Sequence, residues 1–211
     1  MLTSFRETLA PGLVMEVEGR LLASGRSPHQ AWEVWQTPAF GRLYRLDNRS
    51  MAAEADSHLC HEPLVHVAGL AHPGPQRALV LGGGDGASCA ELLRYPTLRE
   101  IVLAELDPAV LALAREWLPA LHAGALDDAR VTLRLGDAQE VVTAWQPGDE
   151  PFDLVIFDLT DPDTAAAPLF STAFFRACWR GCARCSASSR RSGPASRSMA
   201  APGRSWWRPI R

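Results

Sequence analysis

From residue 78 onward, short apolar runs alternate with stretches whose apolar residues recur at helical spacing. Residues 78–81 (Ala-Leu-Val-Leu) are long enough for a buried strand and run directly into Gly82, Gly83, Gly84 and Gly86. Residues 87–95 then carry Ala90, Leu92 and Leu93 on one helical side. A second apolar run, 101–106, precedes a helix that Pro108 opens in its first turn and that extends to about 117. A third, 131–135, ends in Gly136-Asp137 and leads into a short helix from Ala138. A fourth, 152–157, ends in Asp158-Leu159-Thr160-Asp161-Pro162. Such alternation predicts an α/β fold, a doubly wound and mainly parallel sheet with right-handed crossovers.

Before residue 78 the pattern is that of strands. Val14, Val17 and Leu21-Leu22 lie around Gly19; Trp32, Val34 and Trp35 form another run, and residues 43–46 a third, with Pro38 and Gly41 between them. A small antiparallel sheet fits, with the two tryptophans as packing. Residues 53–69 predict a helix with Leu59, Leu64, Val65 and Leu70 on its apolar side, and Ala71-His72-Pro73-Gly74-Pro75 a linker. The expected organisation is a β-domain over 1–52, an α/β domain over 53–177 and a tail over 178–211.

The turn after residue 81 brings in chemistry. Gly82-x-Gly84-x-x-Ala87 satisfies a relaxed dinucleotide pattern, and Gly82-x-Gly84-x-Gly86 the looser one found where a sulfonium nucleoside binds. Asp85 would set a carboxylate against a pyrophosphate, whereas a cationic ligand removes that conflict. Glu105, 19 residues past Gly86, is spaced to accept both ribose hydroxyls of an adenosine ligand. Asp85, Glu105, Asp137, and Asp158 with Asp161 thus stand at four successive strand ends, where ligands of such sheets bind. Singly, each acid also reads as a cap or turn residue, and His61 as a core histidine; together the acids point to a cationic ligand.

Charge sharpens this. Residues 1–175 hold all 24 acids and 12 arginines, a net −12, while residues 176–211 hold nine arginines and no acid, a net +9. A body at −12 is not built for nucleic acid but draws in small cations. Five cysteines without paired spacing before residue 178 argue against a disulfide framework. No stretch reaches membrane-span length and the N-terminus lacks signal-peptide character, so a cytoplasmic enzyme is expected.

These residues resemble the spermidine synthase family, the polyamine aminopropyltransferases. The resemblance covers about residues 28–177. It runs through His29-Gln30, Gly41-x-Leu43 to Leu46-Asp47, Glu54-x-Asp56 and His61-Glu62, then Leu81-Gly-Gly-Gly-Asp-Gly86, Glu105-Leu106-Asp107, Gly136-Asp137-Ala138, Asp158-Leu159-Thr160-Asp161-Pro162, Leu169-Phe170 and Phe174-Phe175. It implies a Rossmann-like, methyltransferase-type α/β domain behind a small N-terminal antiparallel β-domain. It implies transfer of an aminopropyl group from the cosubstrate decarboxylated S-adenosylmethionine to putrescine or a related amine, giving spermidine and methylthioadenosine. No prosthetic group, metal, nucleic acid or membrane is expected, and a homodimer or homotetramer is. Gly82 and Gly84 would form the nucleoside loop, Glu105 would hold the ribose, Asp137 with Ala138 the adenine, and Gln30 the nucleoside cosubstrate. Asp85 and His61 would touch the amine or the aminopropyl arm, Asp158 would accept the proton and Asp161 would anchor the amine. Two other functions fit parts of the pattern: a small-molecule methyltransferase using S-adenosylmethionine itself, and a catalytically silent polyamine- or nucleoside-binding homologue.

Departures from the family pattern gather on the amine side. Cys60 replaces the tyrosine before His-Glu, Met51 a glutamine, Asn48 a glycine, Ser57 an acid, and Thr164-Ala165 a Gly-Pro pair. After Phe175 the Arg-, Ser- and Cys-rich sequence has no strand pattern, and Cys178, Cys182 and Cys185 lack a fourth metal ligand. A reading-frame shift near residue 178 in a GC-rich gene is the expected origin, in keeping with 21 arginines and no lysine. An exposed sheet edge and weak stability are expected with it.

Overall fold

The computed structural model describes residues 2–146 and 149–182. Five strands come first: β1 (Thr3–Ala10), β2 (Leu13–Arg26), β3 (Ala31–Thr37), β4 (Gly41–Leu46) and β5 (Arg49–Ala53). They form one antiparallel sheet in chain order. Helix α1 (Ser57–Ala71) leads to β6 (Arg77–Gly82), α2 (Ala87–Leu93), β7 (Glu100–Glu105), α3 (Pro108–Trp117), α4 (Pro119–His122), β8 (Val131–Leu135), α5 (Ala138–Thr143), β9 (Leu154–Asp158) and α6 (Thr172–Gly181). The second sheet has the order β8-β7-β6-β9, every pairing parallel. The parallel α/β sheet expected from the alternation, and the Rossmann-like domain that the resemblance implies, are present.

Several elements differ from the sequence expectation. The runs around Gly19 are one 14-residue strand, β2, bulged between Leu21 and Ala23. Strands β1 and β5 carry no apolar alternation; of β1 only Phe5 is buried. In α1 the buried residues are His61, Val65 and Gly69, while Leu59 and Leu70 are 70% and 79% exposed, so the expected apolar side is corrected. The inward stripe must take a glycine, because a Cβ at residue 69 would overlap the Tyr95 ring. Helix α6 continues past residue 178 to Gly181, with Cys178 buried, so the expected start of the tail falls inside a helix. The arginine-rich remainder and Cys185 lie outside the described residues.

The two sheets share a core. Val34, Tyr44 and Leu46 of the antiparallel sheet pack with Val65, Val80, Leu92, Ile101 and Leu103 of the α/β part. The other face of the parallel sheet packs Leu79, Leu81 and Val102 against Val142, Phe174 and Cys178 from α5 and α6. Polar contacts fix the docking. Asp107, 1% exposed, caps α3 by accepting from Ala109 N at 2.9 Å, and its other oxygen accepts from Ser27 Oγ at 2.6 Å and Gln30 Nε2 at 3.0 Å. Asp107→Ala removes a cap and the acceptor that Ser27 and Gln30, in the β2–β3 turn, share. It is expected to cost about 2–4 kcal/mol, read as a lowered thermal midpoint. An unchanged midpoint would show that the sheets dock without it.

Candidate active site

Parallel strands place their carboxyl ends together, and here those ends open into a cavity of about 230 Å³. Nine expected site residues line it: Gln30, His61, Gly82, Gly84, Asp85, Glu105, Asp137, Ala138 and Asp158. The antiparallel sheet closes the other side with Tyr44, Leu46 and Met51, and Cys60 of α1 lines it as well. Asp161 does not line the cavity. It is exposed, and Arg49 Nη1 donates to its Oδ2 at 2.9 Å.

At one end stands Glu105. Gly84 N donates to its Oε2 at 3.0 Å and Asp107 N to its Oε1 at 2.8 Å, so two backbone amides aim the carboxylate. Each oxygen keeps a lone pair, the arrangement a vicinal diol needs from an acceptor. Burial pushes this carboxyl up to about 7; the two amides oppose the shift and the Asp107 and Asp85 charges add to it. Gly84 is required because a Cβ there would stand 2.7 Å from Glu105 Oε2. Asp137 caps α5, accepting from Gln139 N at 2.8 Å, and Gln139 also lines the cavity.

At the other end stand His61, Asp85 and Asp158, each offering one ligand atom within 4.8 Å of the others. His61 Nδ1 lies 2.8 Å from the Ser57 carbonyl, which can only accept, and 2.9 Å from the Ser57 hydroxyl, which can accept as well. This assigns the proton to Nδ1, so in the neutral ring Nε2 is an acceptor, 3.9 Å from Asp158 Oδ2. Asp85 is fixed at both oxygens, by Ala87 N at 2.9 Å and by the Tyr44 hydroxyl at 2.9 Å. Asp158 Oδ2 is buried and has no hydrogen-bond partner among the described residues. Burial and the nearby Asp85 charge push the Asp158 carboxyl up to about 6, with His61 opposing. The Tyr44 hydroxyl is driven well above its usual range by burial and then by Asp85, so it stays a donor. With the imidazole neutral, three acceptors face one point. An imidazole and two carboxylates suit a divalent metal as well as an ammonium: the 3.9 Å between His61 Nε2 and Asp158 Oδ2 lies between the spacing of about 3.4 Å around zinc and that of about 4.6 Å around an ammonium bonded at about 2.8 Å.

Sequence reasoning missed Tyr44, Asp107 and Gln139. Tyr44 had no local signal, since its partner Asp85 is 41 residues away. Asn48, standing where the family pattern has glycine, takes φ +67 after Asp47 at φ +45, so the β4–β5 turn keeps its left-handed pair with residues that tolerate it.

Comparison with known proteins follows the geometry. Residues 57–184 match the family model "Spermine/spermidine synthase domain". The chain belongs to the spermine/spermidine synthase family. It is 46% identical over 160 residues to the polyamine aminopropyltransferase of Nitrosomonas europaea, covering 76% of this chain and 48% of that one. It is 38% identical over 177 residues to the enzyme of that name from Moorella thermoacetica, covering 83% and 61%. A crystal structure of spermidine synthase in complex with the transition-state analogue AdoDATO superposes with a TM-score of 0.81 at 30% identity, covering 85% of this chain and 61% of that one. Spermidine synthase from Thermotoga maritima gives 0.79 at 30% identity. The chain thus spans about half to three-fifths of the length of these family members. Among the described residues no helix is long and apolar enough to cross a membrane.

Proposed function

We propose that the chain transfers an aminopropyl group from decarboxylated S-adenosylmethionine to an amine of the putrescine type, giving spermidine and methylthioadenosine. The observation that carries this reading is the meeting of His61 Nε2, Asp85 and Asp158 at one point, in the same cavity as the anchored Glu105 carboxylate. In this reading Glu105 holds the ribose, Asp137, Ala138 and Gln30 border the rest of the nucleoside, and Gly82 to Gly84 let the loop pass beneath it. Asp85 and His61 receive the amine. Asp158 takes the proton that the attacking nitrogen must lose, since a protonated amine has no lone pair. The sulfonium is already a good leaving group, so holding the nitrogen in line with the adjacent carbon supplies much of the rate. S-adenosylmethionine itself would bring its α-carboxylate into a cavity lined by four acids, which disfavours methyl transfer.

The test is an end-point mass-spectrometric assay with decarboxylated S-adenosylmethionine and putrescine, cadaverine or spermidine. Methylthioadenosine that forms only when an amine is present establishes the reaction; no product with any amine overturns it. Nucleoside binding is read separately. Glu105→Gln is expected to weaken methylthioadenosine about tenfold by calorimetry, because a charged acceptor of two hydroxyls becomes a half-donor amide. Unchanged affinity would remove Glu105 from the ribose.

A further inference from the structure

Arg49 and Asp161 stand beside the cavity rather than in it. Arg49 opens β5 directly opposite Leu46 across the hairpin, so the two side chains share a face of the sheet, and Leu46 lines the cavity. Its guanidinium grips Asp163 with both arms, Nη1 2.6 Å from Oδ1 and Nη2 2.7 Å from Oδ2, while Nη1 also donates to Asp161 Oδ2 at 2.9 Å. Asp161 directly follows Thr160 and precedes Ala165, both of which line the cavity. The carboxylates among the described lining residues are Asp85, Glu105, Asp137 and Asp158. Two of these face the nucleoside in the reading above and two surround the reacting nitrogen. A second ammonium at the far end of a diamine therefore has to find its anion just outside, where Arg49 already holds Asp161 and Asp163.

Resting on the proposed aminopropyl transfer, we infer that Arg49 sets which amine the site accepts. By occupying Asp161 and Asp163 it leaves the acceptor to be recognised as a single ammonium, and a second positive charge gains little. The guanidinium keeps its proton across the working pH range, and its two-armed grip on Asp163 holds it in place independently of Asp161. All three groups are substantially exposed, with side chains 39%, 66% and 67% accessible, so the effect is a moderate selectivity factor and not a block. The positive charge also repels a far ammonium directly.

Calorimetric titrations of the full chain with butane-1,4-diamine and with butylamine, near neutral pH and at low salt, test this. They are run with and without methylthioadenosine, so the ratio of the two affinities is read in either case. In the unaltered chain the two amines are expected to bind within about threefold of each other. In Arg49→Gln the diamine gains about fivefold over the monoamine, and Arg49→Lys, which keeps the charge but loses the fork, falls between. The gain vanishes in the double variant Arg49→Gln, Asp161→Asn, because Asp161 is the group released. A marked diamine preference in the unaltered chain that Arg49→Gln leaves as it was overturns the inference. So does a gain that survives Asp161→Asn, or binding of neither amine. Failure of the underlying transfer reading shows differently, as no methylthioadenosine formed in the assay while the amine ratio still responds to Arg49.

Discussion

Asp158→Asn is expected to lower aminopropyl transfer by about 10²–10⁴-fold while leaving methylthioadenosine affinity within about twofold. The asparagine amide keeps the shape of the carboxyl but cannot take a proton from the attacking nitrogen. The unaltered chain should lose activity as pH falls through about 6, where the Asp158 carboxyl protonates. Stability moves the other way. The folded-state value lies above the unfolded one of about 3.9, so between these limits the folded chain holds a proton that the unfolded chain has released. Stability therefore falls as pH rises through that window, and the full cost is present above about 6. Glu105, pushed up to about 7, acts in the same direction. Asp158→Asn should thus raise the neutral-pH thermal midpoint, by an amount corresponding to about 1–3 kcal/mol, and change little near pH 4. A site that loses activity and gains stability in one substitution carries strain for its chemistry. Transfer retained at more than a tenth of the original rate would take the proton-acceptor role away from Asp158.

Much of this site was legible before any coordinates, for a definite reason. The acids sit at the ends of parallel strands, and parallel strands collect their ends at one place, so a one-dimensional pattern fixes a three-dimensional cluster. What the pattern could not carry was everything contributed across long sequence separations. Tyr44 reaches Asp85, and Arg49 reaches Asp161 and Asp163, from strands of the other sheet, 41 to 114 residues away in the chain. Strand β1 was invisible because it buries little beyond Phe5 and has no alternation to read. Helix α1 misled in the opposite sense. Its inward stripe contains a histidine and a glycine, because one serves the cavity and the other makes room for Tyr95, while Leu59, Val67 and Leu70 point outward and mimic a core face. Asp161 belongs to the same lesson: its motif was read as the acid that anchors the amine, but the arginine that engages it lies 112 residues away.

Gly82→Ala is expected to destabilise the fold by about 2–4 kcal/mol and to displace the Asp158 carboxylate along with it. Gly82 pairs with Asp158 at the end of the β6–β9 ladder and holds φ at +76. A Cβ there would overlap the Asp158 carbonyl oxygen and come within 3.1 Å of its carbon and 3.2 Å of Leu159 Cδ2. The obstruction is backbone, which cannot rotate away, so the strand end must part. Gly83 repeats the constraint on the side-chain side, where a Cβ would stand 2.5 Å from Asp158 Oδ2. Strain from positive φ and strain from the contact can be separated with Gly124→Ala. Gly124 holds φ +85 with nothing within 4 Å of the added atom, so this variant should lose only about 1 kcal/mol. The difference between the two variants measures the contact alone, and thermal or denaturant unfolding reads it directly. If the two lose equal stability, the glycine run is needed only for its turn. If Gly82→Ala loses the greater part, the run is there to let Asp158 come close, and the glycines and the acid are one device.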